Sequence, residues 1–196
     1  MERKKNNKIS LIIGTILTLV ALFFPAVSPA NITGFESEFG DLIFFWSFNL
    51  KDLNLRFYIG PFGLNIILFL FVISCIIYNC KLFISSNKND IDFNKFAQKT
   101  FSIATIMILL TFNLIILIEY IFITTSPEYS FTGEPWGFWW YYSPNFGLIG
   151  MFLGPFIIIF GSLYQMSKQK SNFYRFALGI TPLLLISSIF YLLMPS

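Results

Sequence analysis

The chain has 196 residues, of which 56% are hydrophobic and only 12% are charged. Soluble domains average about 25% charged residues, so this composition, with a mean hydropathy of +0.70, indicates an integral membrane protein. The absence of histidine excludes His-ligated metals and His-based acid–base catalysis, and the two cysteines are too few for a four-Cys metal site. The net charge is +3, but the basic residues flank apolar runs, so no nucleic-acid partner is predicted.

Five apolar segments follow one another along the chain, and each is long enough to cross a bilayer as a helix. Because backbone polar groups inside lipid must be hydrogen-bonded within the segment, we expect helices. The predicted fold class is an all-α polytopic bundle of five transmembrane helices in a single transmembrane domain, 1–196. The predicted spans are 9–27, 62–84, 101–124, 146–166 and 176–194.

The basic residues are distributed unevenly among the segments that link these spans. Lys51 and Arg56 lie between the first and second spans. The other basic residues lie at the N-terminus, between the second and third spans, or between the fourth and fifth; they are Arg3, Lys4, Lys5, Lys8, Lys81, Lys88, Lys95, Lys99, Lys168, Lys170 and Arg175. Since Lys and Arg accumulate on the cytoplasmic side, we expect a cytoplasmic N-terminus and an extracytoplasmic C-terminus, with the plasma membrane as the host membrane.

The first apolar segment has a second interpretation. Its basic start, its apolar run and the tripeptide Ser28-Pro29-Ala30 are also typical of a signal peptide with a cleavage site. The run is longer than a usual signal core, however, and Pro29 lies beside the candidate bond. We therefore expect an uncleaved span; cleavage would leave four spans in the same orientation.

Two long outer loops, about 28–61 and 125–145, combine acidic residues with dense aromatic clusters. We define the outer aromatic cap as Trp46, Trp136, Trp139, Trp140 and Tyr141. Trp and Tyr favour the headgroup level because the ring is apolar and its tip is polar, so these residues are interpreted as interfacial anchors. The alternative is an aromatic platform for a partner protein or a lipid-like ligand.

A weak internal repeat relates the two halves of the chain. Phe62-Gly63-Leu64 opens the second span and Phe146-Gly147-Leu148 opens the fourth. A Ser-Pro, a Thr-Gly and an aromatic cluster precede each tripeptide in the same order. This order predicts two tandem helical hairpins in parallel orientation, followed by a C-terminal helix. The alternative is a chance similarity between loops.

The fourth span carries small residues on one helix face. Small residues let helices approach closely in lipid, so this face is predicted to pack against another helix. The predicted helix-packing residues are Gly147, Gly150, Gly154 and Gly161. Gly14 and Thr18 form a matching small face on the first span, which favours packing within one chain over packing between two copies.

Glu119 and Asn113 form the candidate intramembrane polar site. Glu119 is the only acidic residue within a predicted span, and an ionisable group at membrane depth is a functional hypothesis. It lies about one turn from the outer end of its helix, so the alternative is a solvated edge or an ion pair with Lys51 or Arg56. Asn113 lies deeper and does not share a face with Glu119.

No spacing of residues predicts a catalytic site, a phosphate-binding loop, a metal site or a cofactor. We therefore expect a non-catalytic accessory subunit or scaffold that packs in the lipid bilayer with a membrane protein partner or as a homo-oligomer. The alternative is a small transporter or channel that uses Glu119 and Asn113.

Overall fold

The computed structural model describes residues 2–29, 42–43, 48–51, 54–57, 63–88, 93–125, 142–167 and 171–193. These residues contain five helices: α1 (Glu2–Ala21), α2 (Gly63–Lys88), α3 (Phe93–Thr125), α4 (Phe146–Met166) and α5 (Asn172–Leu193). The helical character predicted for the apolar segments is confirmed. Four helices, α2 to α5, are long and apolar enough to cross a membrane.

The first helix ends earlier than the predicted first span, 9–27. Helix α1 ends at Ala21, and its apolar part, Asn6–Ala21, is shorter than the four candidate spans. Pro25 explains the early end, because proline lacks an N–H and disfavours helical geometry at the preceding residue. The chain instead makes a tight turn, in which the N–H of Phe24 donates to the Ala21 carbonyl at 3.1 Å.

The other predicted bounds differ mainly at the helix ends. Helix α4 covers 146–166, as predicted, whereas α3 begins at Phe93 rather than at 101 and α5 at Asn172 rather than at 176. The added residues of α3 include Lys95, Gln98 and Lys99, and Lys and Gln are good helix formers. Hydropathy locates the apolar part of a helix, but its hydrogen-bonded turns continue into the polar flank.

Helix α4 lies at the centre of the bundle. It packs most extensively against α1 and next most against α3, while α5 makes fewer contacts with it. The apolar window of α4 is 72% buried, against 22% for α2 and for α5, so these two helices are peripheral. The ring of Phe112 on α3 packs against rings on two other helices. Its centroid lies 5.1 Å from that of Phe152 on α4 and 5.4 Å from that of Tyr191 on α5.

Short strands form an antiparallel sheet, which the all-α prediction did not include. They are β1 (Val27–Pro29), β2 (Leu42–Ile43), β3 (Phe48–Lys51), β4 (Asn54–Phe57) and β5 (Tyr142–Pro144). Their order in the sheet is β4-β3-β2-β1-β5. Strand β1 leaves α1 and β5 leads into α4, and they pair with Ser28 opposite Ser143. The antiparallel packing of α1 on α4 therefore brings β1 and β5 side by side.

A sequence signal for part of this sheet was missed. Strands β3 and β4 are separated by two residues, and the register pairs Phe48 with Phe57 and Leu50 with Leu55. Apolar and polar residues alternate along both strands, which is the period of a half-buried strand. Two such runs joined by a two-residue link indicate a β-hairpin.

Candidate functional site

The face of α4 that carries Gly154 packs directly on α1. A Cβ added at Gly154 would lie 2.6 Å from the Gly14 carbonyl oxygen and closer still to Thr18 Oγ1. A Cβ added at Gly14 would lie 2.5 Å from Ile158 Cγ1. Real Cβ atoms do not approach other atoms this closely, so both backbones sit where only glycine fits. We call this contact the α1–α4 seam.

The three remaining glycines of the predicted packing face also lie along the seam. An added Cβ at Gly150 would lie 2.6 Å from the Cβ of Ala21, and one at Gly161 would lie 2.5 Å from the Cβ of Ser10. One at Gly147 would lie 2.5 Å from the carbonyl oxygen of Phe24. The structure thus brings Gly147, Gly150, Gly154 and Gly161 together against a single helix and the turn that follows it.

The turn after α1 also provides hydrogen-bond acceptors for backbone N–H groups at the N-terminus of α4. The first backbone N–H groups of a helix have no partner within the helix. Here the N–H of Gly147 donates to the Pro25 carbonyl at 2.9 Å, and the N–H of Asn145 donates to the Ala26 carbonyl at 2.9 Å. The rings of Phe24 and Phe146 pack edge to face beside this contact, with centroids 5.0 Å apart.

A buried polar network joins α1, α3 and α4 at the opposite end of the seam, and sequence reasoning missed it. Asn7 Nδ2 donates to Gln165 Oε1, and Ser162 Oγ donates to Asn7 Oδ1 at 3.4 Å. Thr100 Oγ1 lies 2.7 Å from Ser162 Oγ. Asn7, Thr100 and Ser162 are fully buried. Gln165 lies one turn after Gly161, so the glycine face itself was the signal that points to this network.

Other buried polar atoms have no hydrogen-bond partner among the described residues. These are Thr15 Oγ1, Asn79 Oδ1 and Thr105 Oγ1. The amide nitrogen of Asn79 is 3.6 Å from the sulfur of Met107, which is a weak acceptor. Asn79 is therefore only partly satisfied, in contrast with Asn7.

The structure does not bring Asn113 and Glu119 together. Asn113 is exposed, and its amide nitrogen donates to the Leu109 carbonyl one turn earlier in the same helix, at 2.7 Å. Glu119 is half-buried and lies close enough to Tyr191 on α5 to act on it electrostatically. Because they are six residues apart on α3, the two side chains point about 120° away from each other around the helix axis.

The outer aromatic cap, namely Trp46, Trp136, Trp139, Trp140 and Tyr141, lies outside the described residues. Within the described part of the chain, no group of three or more His, Cys, Asp or Glu side chains could hold a metal ion. Cys75 and Cys80 are both free thiols.

Comparison of the chain with protein family models, with curated proteins and with solved structures found no match.

Proposed function

We propose that this chain is an integral membrane protein without a catalytic role, and that it packs in the bilayer with a partner membrane protein or with a second copy of itself. In this proposal α1 is retained and crosses the membrane with the four longer helices. The tight α1–α4 seam supports this role for α1, because α4 buries its glycine face against it.

The exposed position of Asn113 carries the proposal. Helix α3 runs from Phe93 to Thr125, so Asn113 lies about one turn beyond its midpoint. Ile106, Leu109 and Ile116 are exposed on the same helix and are close to half accessible. Asn113 is thus a polar side chain within an exposed apolar face.

The surroundings of Asn113 make that face a candidate for partner binding. Its amide nitrogen bonds within the helix, and no second hydrogen bond of this side chain is formed with the described residues. An amide oxygen in hydrocarbon is costly without a donor. Asn side chains hydrogen-bond across helices in membranes, and each such bond contributes about 1–2 kcal/mol in model peptides.

The Asn113→Leu variant tests this proposal. We expect it to insert and fold, because the side chain is exposed, but to weaken association by about 1–2 kcal/mol. The measurement is purification in mild detergent, followed by mass spectrometry of every protein that co-purifies and by counting of the copies in each complex.

Ser187→Leu is the matched control, since Ser187 is an exposed polar residue on α5. This control is expected to associate like the parent chain. A partner protein at fixed stoichiometry identifies an accessory subunit, and a complex of identical chains identifies a self-associating scaffold. A parent chain that is monomeric and co-purifies with nothing would contradict the proposal.

A small transporter or channel that uses Asn113 and Glu119 is the second candidate. Such a site needs polar groups that converge at the membrane midplane. Asn113 points to its own helix backbone and Glu119 lies near Tyr191, so the geometry supports this candidate less well.

The proposed orientation has a direct test. We replace Lys88 by Cys in a chain that also carries Cys75→Ala and Cys80→Ala. The positive-inside distribution predicts that a membrane-impermeant thiol reagent labels this cysteine only after the cells are permeabilised. Thr33→Cys in the same background is the control and is expected to react in intact cells. Labelling of the Lys88→Cys chain from outside would contradict the orientation.

A further inference from the structure

A groove of about 580 Å³ lies between α2 and α3, on the outside of the bundle. Phe71, Cys75 and Tyr78 line it from α2, and Lys95, Lys99 and Ile103 line it from α3. Phe71 is 56% exposed and Tyr78 is 41% exposed, so the groove opens outward rather than into the core. In a bilayer it would face the lipid.

The groove has one basic end and one apolar end. Lys95 and Ile103 are eight residues apart on α3, which corresponds to about 12 Å along the helix. The candidate membrane span of α3 begins at Asn94, so Lys95 lies in its first turn and Lys99 one turn deeper. Phe71, Cys75 and Ile103 are apolar residues of the lining. Along α3 the lining therefore changes from charged at Lys95 and Lys99 to apolar at Ile103.

Both lysines, Lys95 and Lys99, have exposed side chains. Neither forms an ion pair with an acidic side chain among the described residues. Lys8 lies at the same end of the bundle, where its ammonium donates to the Ser86 carbonyl of α2 at 2.9 Å. This end thus concentrates positive charge where phospholipid headgroups would lie.

We propose that the groove binds one anionic phospholipid. Lys95 and Lys99 hold the phosphate, and the Tyr78 hydroxyl in the lining is a further donor. One acyl chain lies along the apolar end against Phe71, Cys75 and Ile103. Basic pockets between transmembrane helices bind anionic headgroups in this way, and long Lys side chains reach the interface from within a span. This inference does not depend on the proposed packing role of Asn113.

The test uses the full chain in nanodiscs of phosphatidylcholine that contain a minority of phosphatidylglycerol. Native mass spectrometry then counts the lipids that stay bound when the disc is removed. We expect one phosphatidylglycerol to be retained in preference to phosphatidylcholine. Since each Lys near the surface contributes about a fivefold preference, Lys99→Gln lowers the preference about fivefold and Lys95→Gln/Lys99→Gln about 25-fold.

Two further variants test two requirements of the proposal. One asks whether a positive charge outside the groove affects the lipid preference, and the other asks whether lipid retention needs the space at the apolar end. Arg175→Gln removes one exposed positive charge from α5 and is expected to leave the preference unchanged. Cys75→Trp fills the apolar end and is expected to lower retention of the lipid while both lysines remain. Melting temperatures of all variants are compared with the parent, and Asn113→Leu is expected to retain lipid normally.

An unchanged preference in the double lysine variant would overturn the proposal, as would an equal loss in Arg175→Gln. Displacement of the lipid by soluble glycerol phosphate would also overturn it, because the groove would then bind a free phosphate rather than a phospholipid.

Discussion

Gly154→Ala is expected to destabilise the protein strongly, because the added methyl group has no room in the α1–α4 seam. The new Cβ would lie 2.6 Å from the Gly14 carbonyl oxygen, and the nearest atom, Thr18 Oγ1, is itself held by a 2.8 Å bond to that same carbonyl. The Gly14 carbonyl is a backbone group, so it cannot move away unless α1 separates from α4. Overpacking of this kind costs about 1–3 kcal/mol, and more where backbone must shift, so we expect at least about 3 kcal/mol.

The measurement is the free energy of unfolding in mixed micelles with increasing SDS. Gly179→Ala is the matched control, because a Cβ at Gly179 meets nothing within 4 Å. Alanine favours helix over glycine by about 1 kcal/mol, so this control is expected to be as stable as the parent or slightly more stable. A Gly154→Ala chain as stable as the parent would show that the α1–α4 seam is looser than the structure has it.

Asn7→Leu is expected to have the next largest effect, because it removes the centre of the buried polar network. The substitution removes the Asn7 donor from Gln165 Oε1, whereas Ser162 Oγ keeps its 2.8 Å bond to the Ile158 carbonyl. Each buried polar group left unpaired costs about 1–3 kcal/mol. We therefore expect a loss of about 1–3 kcal/mol in the free energy of unfolding. The loss should be largely recovered in Asn7→Leu/Gln165→Leu, where both partners are apolar.

Asn79→Leu is the control for this experiment. Asn79 is also buried, but its amide oxygen has no partner among the described residues. Its replacement by a side chain of similar volume removes an unsatisfied group, so stability is expected to stay level or rise. Equal destabilisation by the Asn7 and Asn79 substitutions would contradict the assignment of the network.

Hydropathy and local residue spacing are the features that could be read from the sequence. The apolar runs predicted helices in all five segments, and the spacing of Gly147, Gly154 and Gly161 predicted a helix-packing face. Such signals are local: an apolar run of span length can satisfy its backbone only as a helix, and residues seven apart lie on one face. The early end of α1 at Ala21 could also have been predicted from the sequence, because Pro25 disfavours a helix that continues to residue 27.

The candidate sites depend on contacts between segments that are far apart in the chain. Asn7 and Gln165 meet only because α1 and α4 pack antiparallel, and β1 pairs with β5 for the same reason. Asn113 was predicted to belong to a candidate intramembrane polar site, and only the packing of α3 shows that it lies on an exposed face. The groove at Lys95 and Lys99 likewise requires α2 beside α3.

The sequence by itself therefore determined the helices, four of which are apolar enough to cross a membrane, and the face of α4 that needs small residues. Only the tertiary structure decided that α1 covers this face, that a buried polar network lies at one end of the seam and that a short sheet lies at the other. The physical reason is that helix formation depends on neighbouring residues, whereas the choice of packing partner depends on the shapes of whole helix faces.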